Sequence, residues 1–402
     1  MQAGHTSPFR APHSLAQADA TLLFYLHIFL ANRLGHAYPP HRGGTERGRE
    51  RTPRVPPLRI LIANNHLVNF AGSEIHALEL AEHLNGCGHE AVLTALVVAA
   101  PFTGEAIRRR VPVVPMRKLD WGAFWDVVWS HHVPAFQFIH GKLQLKARRH
   151  LHGLLSSVLA LERPPLPADF RMGRRSLTFL PNSELTLASA SRHLPCDART
   201  QILRNLAPDA WVEAVRGAHA AEPAAIACVS NHPPAEICEL AELARAAGMR
   251  FDIIGAGQSG TARRVSPALL APYDLVISIG KTVNYCLAAA IPIFVYDHFG
   301  GPGWLDAKRI GPAEATIFSG KCTPGARPAS RLLAEIRAGY RRASAFAAQT
   351  ASWSAARYGV GAQIERLGLL EGLDRRPQAL LPWWWGRRRV RVFNRALVAE
   401  TV

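Results

Sequence analysis

Residues 59–98 read RILIANNHLVNFAGSEIHALELAEHLNGCGHEAVLTALVV. The opening RILIANN is an apolar run closed by polar residues, the pattern of a parallel strand buried on both faces, and HLVNFAGSE is the polar loop after it. In IHALELAEHLNGCG, Ile75, Leu78 and Ala81 share one helical stripe, Leu80 and Leu84 lie beside it, and Gly86 and Gly88 mark the stop. HEAVLTALVV is a second buried strand. Strand, helix and strand within ~40 residues form a βαβ unit, which closes right-handed in a parallel sheet.

The same grammar extends outward. VPVVPM from Val111, DVVWSHH from Asp126, FQFIHG from Phe136 and SLTFLPNS from Ser176 read as further strands of the first half. After a Pro-, Gly- and Ala-rich stretch around Pro208, Trp211 and Gly217, AAIACVSN opens a second βαβ series. Its helix, HPPAEICELAELARAAG, carries the stripe Ile237, Leu240 and Ala244 and stops at Gly248. MRFDIIGAG, YDLVISIG and IPIFVYD follow as strands, with TVNYCLAAA as a helix before the last. The expected division is a disordered leader over 1–57, a Rossmann-like unit over 58–207, a linker over 208–223, a second Rossmann-like unit over 224–375 and a basic, aromatic tail over 376–402. A chain of 402 residues has the length for two such domains.

Composition narrows the class. With 48% hydrophobic and 19% charged residues, the body is globular rather than disordered. The net charge is +17, gathered from Lys142 to Arg175 and in the tail LPWWWGRRRVRVFNR, without a recognisable nucleic-acid reading element. The partner this balance suits is anionic, a nucleoside diphosphate or an anionic lipid surface, and the tail's Trp and Arg suit a membrane interface. No nucleic-acid partner is expected. Cys87, Cys196, Cys228, Cys238, Cys286 and Cys322 show no zinc-type spacing, so they read as thiols in a reducing compartment. The apolar run Thr21–Ala31 is too short to span a bilayer. A cytoplasmic protein, with membrane association open to it, is the expectation.

Two glycine motifs need weighing. GAGQSG from Gly255 to Gly260 is a literal dinucleotide fingerprint, but it follows the second strand of its series and no helix opens at once, so a tight turn competes with it. GKT at Gly280–Thr282 lacks the P-loop's earlier glycine, because Leu275 stands there. Its physics remains: a buried strand ends, a glycine turns the chain and a helix begins with free N–H groups, a lysine and a hydroxyl, which together favour phosphate. DHFGGPG, from Asp297 to Gly303, follows a strand end, where open α/β sheets bind ligands, although such glycines also build plain turns.

AGSE at Ala71–Glu74, WSHH at Trp129–His132, FIHG at Phe138–Gly141, LPNSELT at Leu180–Thr186, IIGAG and YDLVISIG…LAAAIPIFVYD occur in this order. Together, from roughly Arg59 to Gly303, they resemble the GT-B glycosyltransferases of the family-4 type. The resemblance implies an α/β fold of two Rossmann-like, doubly wound domains facing a cleft, with 58–207 taking the acceptor and 224–375 the nucleotide-sugar donor. It implies sugar transfer to a glycan or lipid-linked acceptor in cell-surface polysaccharide synthesis, with retained configuration, no bound metal and no cofactor beyond the sugar nucleotide.

By the same resemblance His140 and His132, with His131 beside them, are catalytic candidates at the mouth of the sheet. Glu74 would hold a sugar hydroxyl or cap its helix. Gly255, Gly280, Lys281, Thr282, Asp297, Gly300 and Gly301 would hold the donor, with Lys281 neutralising the diphosphate, and Ala71, Gly72 and Ser73 would form the acceptor or phosphate loop. The chain departs from the pattern in one place. Where such enzymes carry two glutamates eight residues apart, it has Ile277 and Tyr285, and VSNHPPAE replaces the usual basic pair. A sugar-nucleotide epimerase and a non-catalytic glycan-binding or partner protein are the competing readings.

Overall fold

A computed structural model describes residues 56–162, 164, 177–217, 219–255, 263–369, 371 and 373–380. The described residues belong to one unit that starts at Pro56. The leader up to Val55, the run Thr21–Ala31, Arg163, Arg171, Arg174 and Arg175 of the basic cluster, Gly257 and Gly260 of GAGQSG, and the Trp–Arg tail from Leu381 lie outside them.

The first sheet has the strands β1 (Arg59–Leu67), β2 (Glu90–Val98), β3 (Val113–Pro115), β4 (Phe124–His131), β5 (Lys146–Leu154), β6 (Leu177–Pro181) and β7 (Arg199–Thr200). All pairs are parallel, in the order β3-β2-β1-β4-β5-β6-β7. Helix α1 (Gly72–Gly86) and the short α2 (Phe102–Arg108) cover one face, where Leu78, Leu80, Ala81 and Phe102 pack on Ile60, Ile62 and Trp129. Helix α3 (Val133–Gln137), extended by a π-helical turn Phe138–Lys142, covers the other face over Leu61, Ala63 and Val128. Helix α4 (Glu184–Ser191) follows β6, and its N-cap Ser183 accepts the Thr186 amide through its hydroxyl.

A short helix α5 (Asp209–Glu213) leads into the second sheet, formed by β8 (Ala225–Val229), β9 (Arg250–Ile254), β10 (Leu275–Ser278), β11 (Ile293–Asp297) and β12 (Gly300–Trp304). Its order is β12-β11-β10-β8-β9, parallel except for the β11–β12 hairpin. Helices α6 (Ala235–Ala246), α7 (Pro267–Leu270), α8 (Lys281–Ala288), α9 (Ile310–Ala315) and the long α10 (Ala329–Tyr358) complete this half. Leu240 of α6 and Leu332, Ile336 and Tyr340 of α10 fill one face of the sheet, and Val283, Cys286 and Leu287 of α8 fill the other. The protein is therefore an α/β chain of two Rossmann-like, doubly wound halves, as its periodicities predict.

Two expectations are corrected. FQFIHG is not a strand: Pro134 stands in the first turn of α3, which begins at Val133, and the run coils on through Lys142. The strand of that region is KARRHLHGL, β5, whose Arg and His residues hide its period from a reading that looks for apolar runs. The second half also does not hold the chain to residue 375. After α10, helix α11 (Val360–Leu367) returns to the first half, where Val360, Leu367 and Leu369 join the core under α1. The outward and return crossings lie side by side, the Ala207 amide donating to Tyr358 O at 2.8 Å and the Val360 amide to Ala207 O at 2.9 Å. Arg149 of β5 clamps the end of α11 by donating to the carbonyls of Leu367 and Gly368. Gln378 then pairs with Ala147 on β5.

Leu367 is a buried member of the first core although it follows the whole second half. Leu367→Ala should lower the unfolding free energy by about 2–5 kcal/mol, measured by urea denaturation.

Candidate functional site

A doubly wound sheet opens a crevice at the carboxyl ends of its strands, where the strand order reverses. In the first sheet that point lies between β1 and β4, and in the second between β8 and β10. The loop Val68–Ala71, His131 and His132 stand at the first; Ser230, Gly280 and Lys281 stand at the second.

The first crevice is built around Glu74. Its carboxylate accepts the amides of Val68 (2.7 Å), Asn69 (3.0 Å) and Ala71 (2.9 Å), which closes the loop onto the first turn of α1. Glu74 is buried, so the structure assigns its oxygens to the helix cap rather than to a sugar hydroxyl. Ala71 is the N-cap, Gly72 is exposed with open space where a Cβ would stand, and Ser73 accepts the Asn64 side-chain amide through its carbonyl at 3.1 Å.

That last bond fixes a tautomer. Because the Asn64 amide nitrogen donates to Ser73, its Oδ1 is the acceptor facing His131 Nδ1 at 2.7 Å, so His131 carries its proton there. His131 Nε2 is then a bare lone pair, buried without a partner among the described residues. Its ring rests against Gly153, where a Cβ would come within 2.4 Å of the His131 Cδ2. His132 caps α3 with a φ of 66°; its Nδ1 accepts the Asn65 amide at 3.3 Å, and its Nε2 lies 3.5 Å from Glu162.

His140 is placed otherwise than the sequence expectation has it. It lies on the π-helical turn, fully buried against Phe136 and His150 at centroid distances of 4.5 and 4.9 Å, and neither ring nitrogen has a partner among the described residues. Coiling of FQFIHG turns this side chain into the α3 face of the sheet instead of the strand mouth. His150 and His152 of β5 share that face. His150 Nε2 donates to Gln378 O, and His152 Nδ1 meets Ser130 Oγ at 2.8 Å.

Burial keeps these rings neutral. Desolvation lowers His76, His131 and His140 well below the ordinary imidazole value, helped at His76 and His131 by the nearby Lys281 charge. It takes His150 to about 4 and His152 to about 3.

The second crevice meets the first through α1. Gly280 ends the strand at φ 59° and ψ −132°, a conformation that disfavours a Cβ, and caps α8. Lys281 turns into the interface, its Nζ 2.7 Å from Glu79 of α1, close in distance but off the hydrogen-bond direction. Tyr285, one turn on, donates its hydroxyl to the same carboxylate and stacks on Trp211 of α5 at 4.7 Å with the planes 8° apart. Arg264 reaches across to grip Glu82 with two bonds, at 2.8 and 2.6 Å. Burial lowers the Lys281 pKa even though Glu79 raises it, while burial and Glu79 both push Tyr285 well up. Thr282 is half-buried beside Lys281.

The remaining donor candidates are structural in their placement. Gly255 packs on the carbonyl of Ser230 after β8. Asp297 accepts the amides of Phe299 (2.7 Å) and Gly320 (3.2 Å), closing the β11–β12 turn. Gly300 and Gly301 are not in a loop; they begin β12, whose antiparallel pairing with β11 the apolar pattern of IPIFVYD gave no hint of.

Sequence reasoning passed over Glu79, His76 and Arg264. Glu79 stands on the side of α1 turned away from Leu78 and Ala81, where a carboxylate reads as a solvated face, so no local signal marked it. Among the described residues no group of three or more His, Cys, Asp or Glu side chains is placed to hold a metal. A cavity of about 560 Å³ lined by Arg216, His219, Tyr273 and Asp274 opens at the other end of the second sheet, away from both crevices.

No family model matches the chain and no curated protein matches it. Several solved structures are similar in fold. A glycosyltransferase from Rickettsia africae is 9% identical over 79% of this chain and 99% of its own, with a TM-score of 0.48. Arabidopsis thaliana UGT89C1, complexed with UDP-L-rhamnose, is 10% identical over 79% and 99%, also at 0.48. The glycotransferase of kitacinnamycin is 13% identical over 79% and 100%, at 0.44. No activity passes to this chain from such likenesses.

The buried histidines make a pH prediction. Above about pH 6.5, the value of an unfolded imidazole, they are neutral in both states and stability is complete. As pH falls toward 4 and then 3, the unfolded chain takes up protons that the folded His150 and His152 refuse, so stability is lost across that window. Urea midpoints at pH 7.5, 6 and 5 should fall in that order, and His152→Phe should flatten the slope.

Proposed function

We propose that this chain is a GT-B-type glycosyltransferase that takes a sugar from a nucleoside diphosphate donor held at the Gly280–Thr282 turn. One observation carries the reading: the switch-point crevices of two Rossmann-like halves meet through α1, and the strand–Gly–Lys–Thr–helix turn of the second half lies in that contact. A cation at a helix start is the chemistry a leaving diphosphate needs. The order of short motifs along the chain supports the same reading.

In this proposal the acceptor enters over the exposed Ala71–Ser73 loop at the first crevice. His131 connects to this loop through Asn64, and His132 is held by Asn65. The glycan or lipid-linked acceptor, the role in polysaccharide synthesis, retention of configuration, metal independence and a cytoplasmic site of action, with the tail at an anionic membrane, belong to the proposal. No helix among the described residues is long and apolar enough to cross a membrane.

A second reading has its own observation. Tyr285 and Glu79 fill the interface where the resembling enzymes carry a glutamate, which favours a non-catalytic protein of this fold. In the transferase reading the Glu79–Lys281 pair opens as the donor's diphosphate replaces the carboxylate.

A thermal-shift screen of nucleoside diphosphates separates the two. The expected outcome is stabilisation by one of them, lost in Lys281→Ala, and about tenfold tighter binding in Glu79→Gln, which removes the competing charge. Conversion of the matching donor to its epimer without acceptor would indicate an epimerase, binding without any turnover the non-catalytic protein. No stabilisation by any nucleoside diphosphate refutes the donor site.

A further inference from the structure

The edge of the first sheet opposite its crevice carries a patch that neither fold nor cleft requires. Trp121 stands at the tip of the turn before β4 and is 70% exposed, more than any other large apolar side chain among the described residues. The turn is held rather than loose: the Gly122 amide donates to Leu143 O at 2.8 Å, the Lys146 amide to Ala123 O at 3.0 Å and the Ala123 amide to Asp120 O at 3.3 Å. Those bonds join residues 117–123 to residues 138–146, and the half-buried Leu119, Ala123 and Phe138 form an apolar floor between them.

Cations ring this floor. Arg117, Lys118, Lys142 and Lys146 are all exposed, and none has a carboxylate within ion-pair distance among the described residues. Lys142 Nζ lies 4.8 Å over the Phe138 ring. At the strand starts beside them Arg59 covers Trp125 and Arg148 covers Phe124, at 5.0 and 5.4 Å. The acids of the neighbourhood are few: Asp126 is occupied by the Arg59 amide and by Arg148, and Asp120 and Glu90 are exposed.

We propose that this patch is a docking surface for an anionic lipid bilayer, with Trp121 entering the headgroup layer and Arg117, Lys118, Lys142 and Lys146 facing the lipid charge. A projecting tryptophan ringed by unpaired cations matches an interface that is apolar a few ångströms below an anionic plane. The patch sits at the amino ends of β1, β4 and β5, so docking leaves the crevice at their carboxyl ends open to solvent. The assignment does not depend on the transferase reading.

The test is co-sedimentation of the full chain with vesicles of phosphatidylcholine alone and of phosphatidylcholine mixed with phosphatidylglycerol. Binding is expected to the mixed vesicles only and to weaken with salt. The double substitution Lys142→Glu and Lys146→Glu should weaken it at least about 25-fold, from about fivefold per cation, and Trp121→Ser roughly tenfold. Quenching by brominated lipid, measured with and without Trp121→Phe, reads insertion of that ring directly and does not depend on the amount bound. Unchanged binding in all these variants assigns the membrane contact to another part of the chain and overturns the proposal. So does equal binding to both vesicle types, or displacement from vesicles by single-stranded nucleic acid with a matching dependence on Trp121.

Discussion

The arrangement of the two halves depends on one buried carboxylate. Glu79 is almost wholly inside the protein, where an uncompensated charge costs several kcal/mol. Lys281 and Tyr285 of the second half meet it directly, and Arg264 lies 3.6 Å from the same carboxylate. A charge set of this kind adds little net stability over apolar packing, but it penalises every misaligned arrangement that leaves Glu79 unpaired. It therefore fixes how α1 sits on α8, and with that which groups of the two crevices can meet. The stacked pair Trp211 and Tyr285, and Asp209 against His83 at 2.9 Å, extend the same contact along the linker.

This contact also explains why α1 is buried on nearly all sides. One side rests on the first sheet through Leu78 and Ala81, and the other, carrying His76 and Glu79, is covered by the second half. At the same contact the charge of Lys281 faces the Glu79 carboxylate instead of solvent.

The main strands and helices were legible because they are written locally. RILIANN, HEAVLTALVV, AAIACVSN and YDLVISIG are apolar runs bounded by polar loops, and β1, β2, β8 and β10 fall where those runs fall. β5 was missed because Arg149, His150 and His152 fill buried positions that an apolar run would mark, and the coiled FQFIHG was misread because an apolar hexapeptide carries no period that separates strand from helix. Of the candidate site, the glycine turn at Gly280 and the loop at Ala71–Glu74 could be found from sequence, since each is a strand followed at once by a helix start. The partner of Lys281 could not, because Glu79 lies 202 positions away and nothing local marks two residues as facing each other.

By itself the sequence determined the two βαβ series, their strand-to-helix turns and the polar loops at the strand ends, since period and punctuation act over a few residues. The tertiary structure alone decided that Glu74 caps rather than presents, that His140 faces inward, that Gly300 and Gly301 lie in a hairpin and that α11 returns to the first core. It also decided that Lys281 is held by an internal carboxylate. The reason is common to all of these: a side chain's role is set by what desolvates it and which groups then satisfy it, and those groups arrive from distant parts of the chain only when the two halves close.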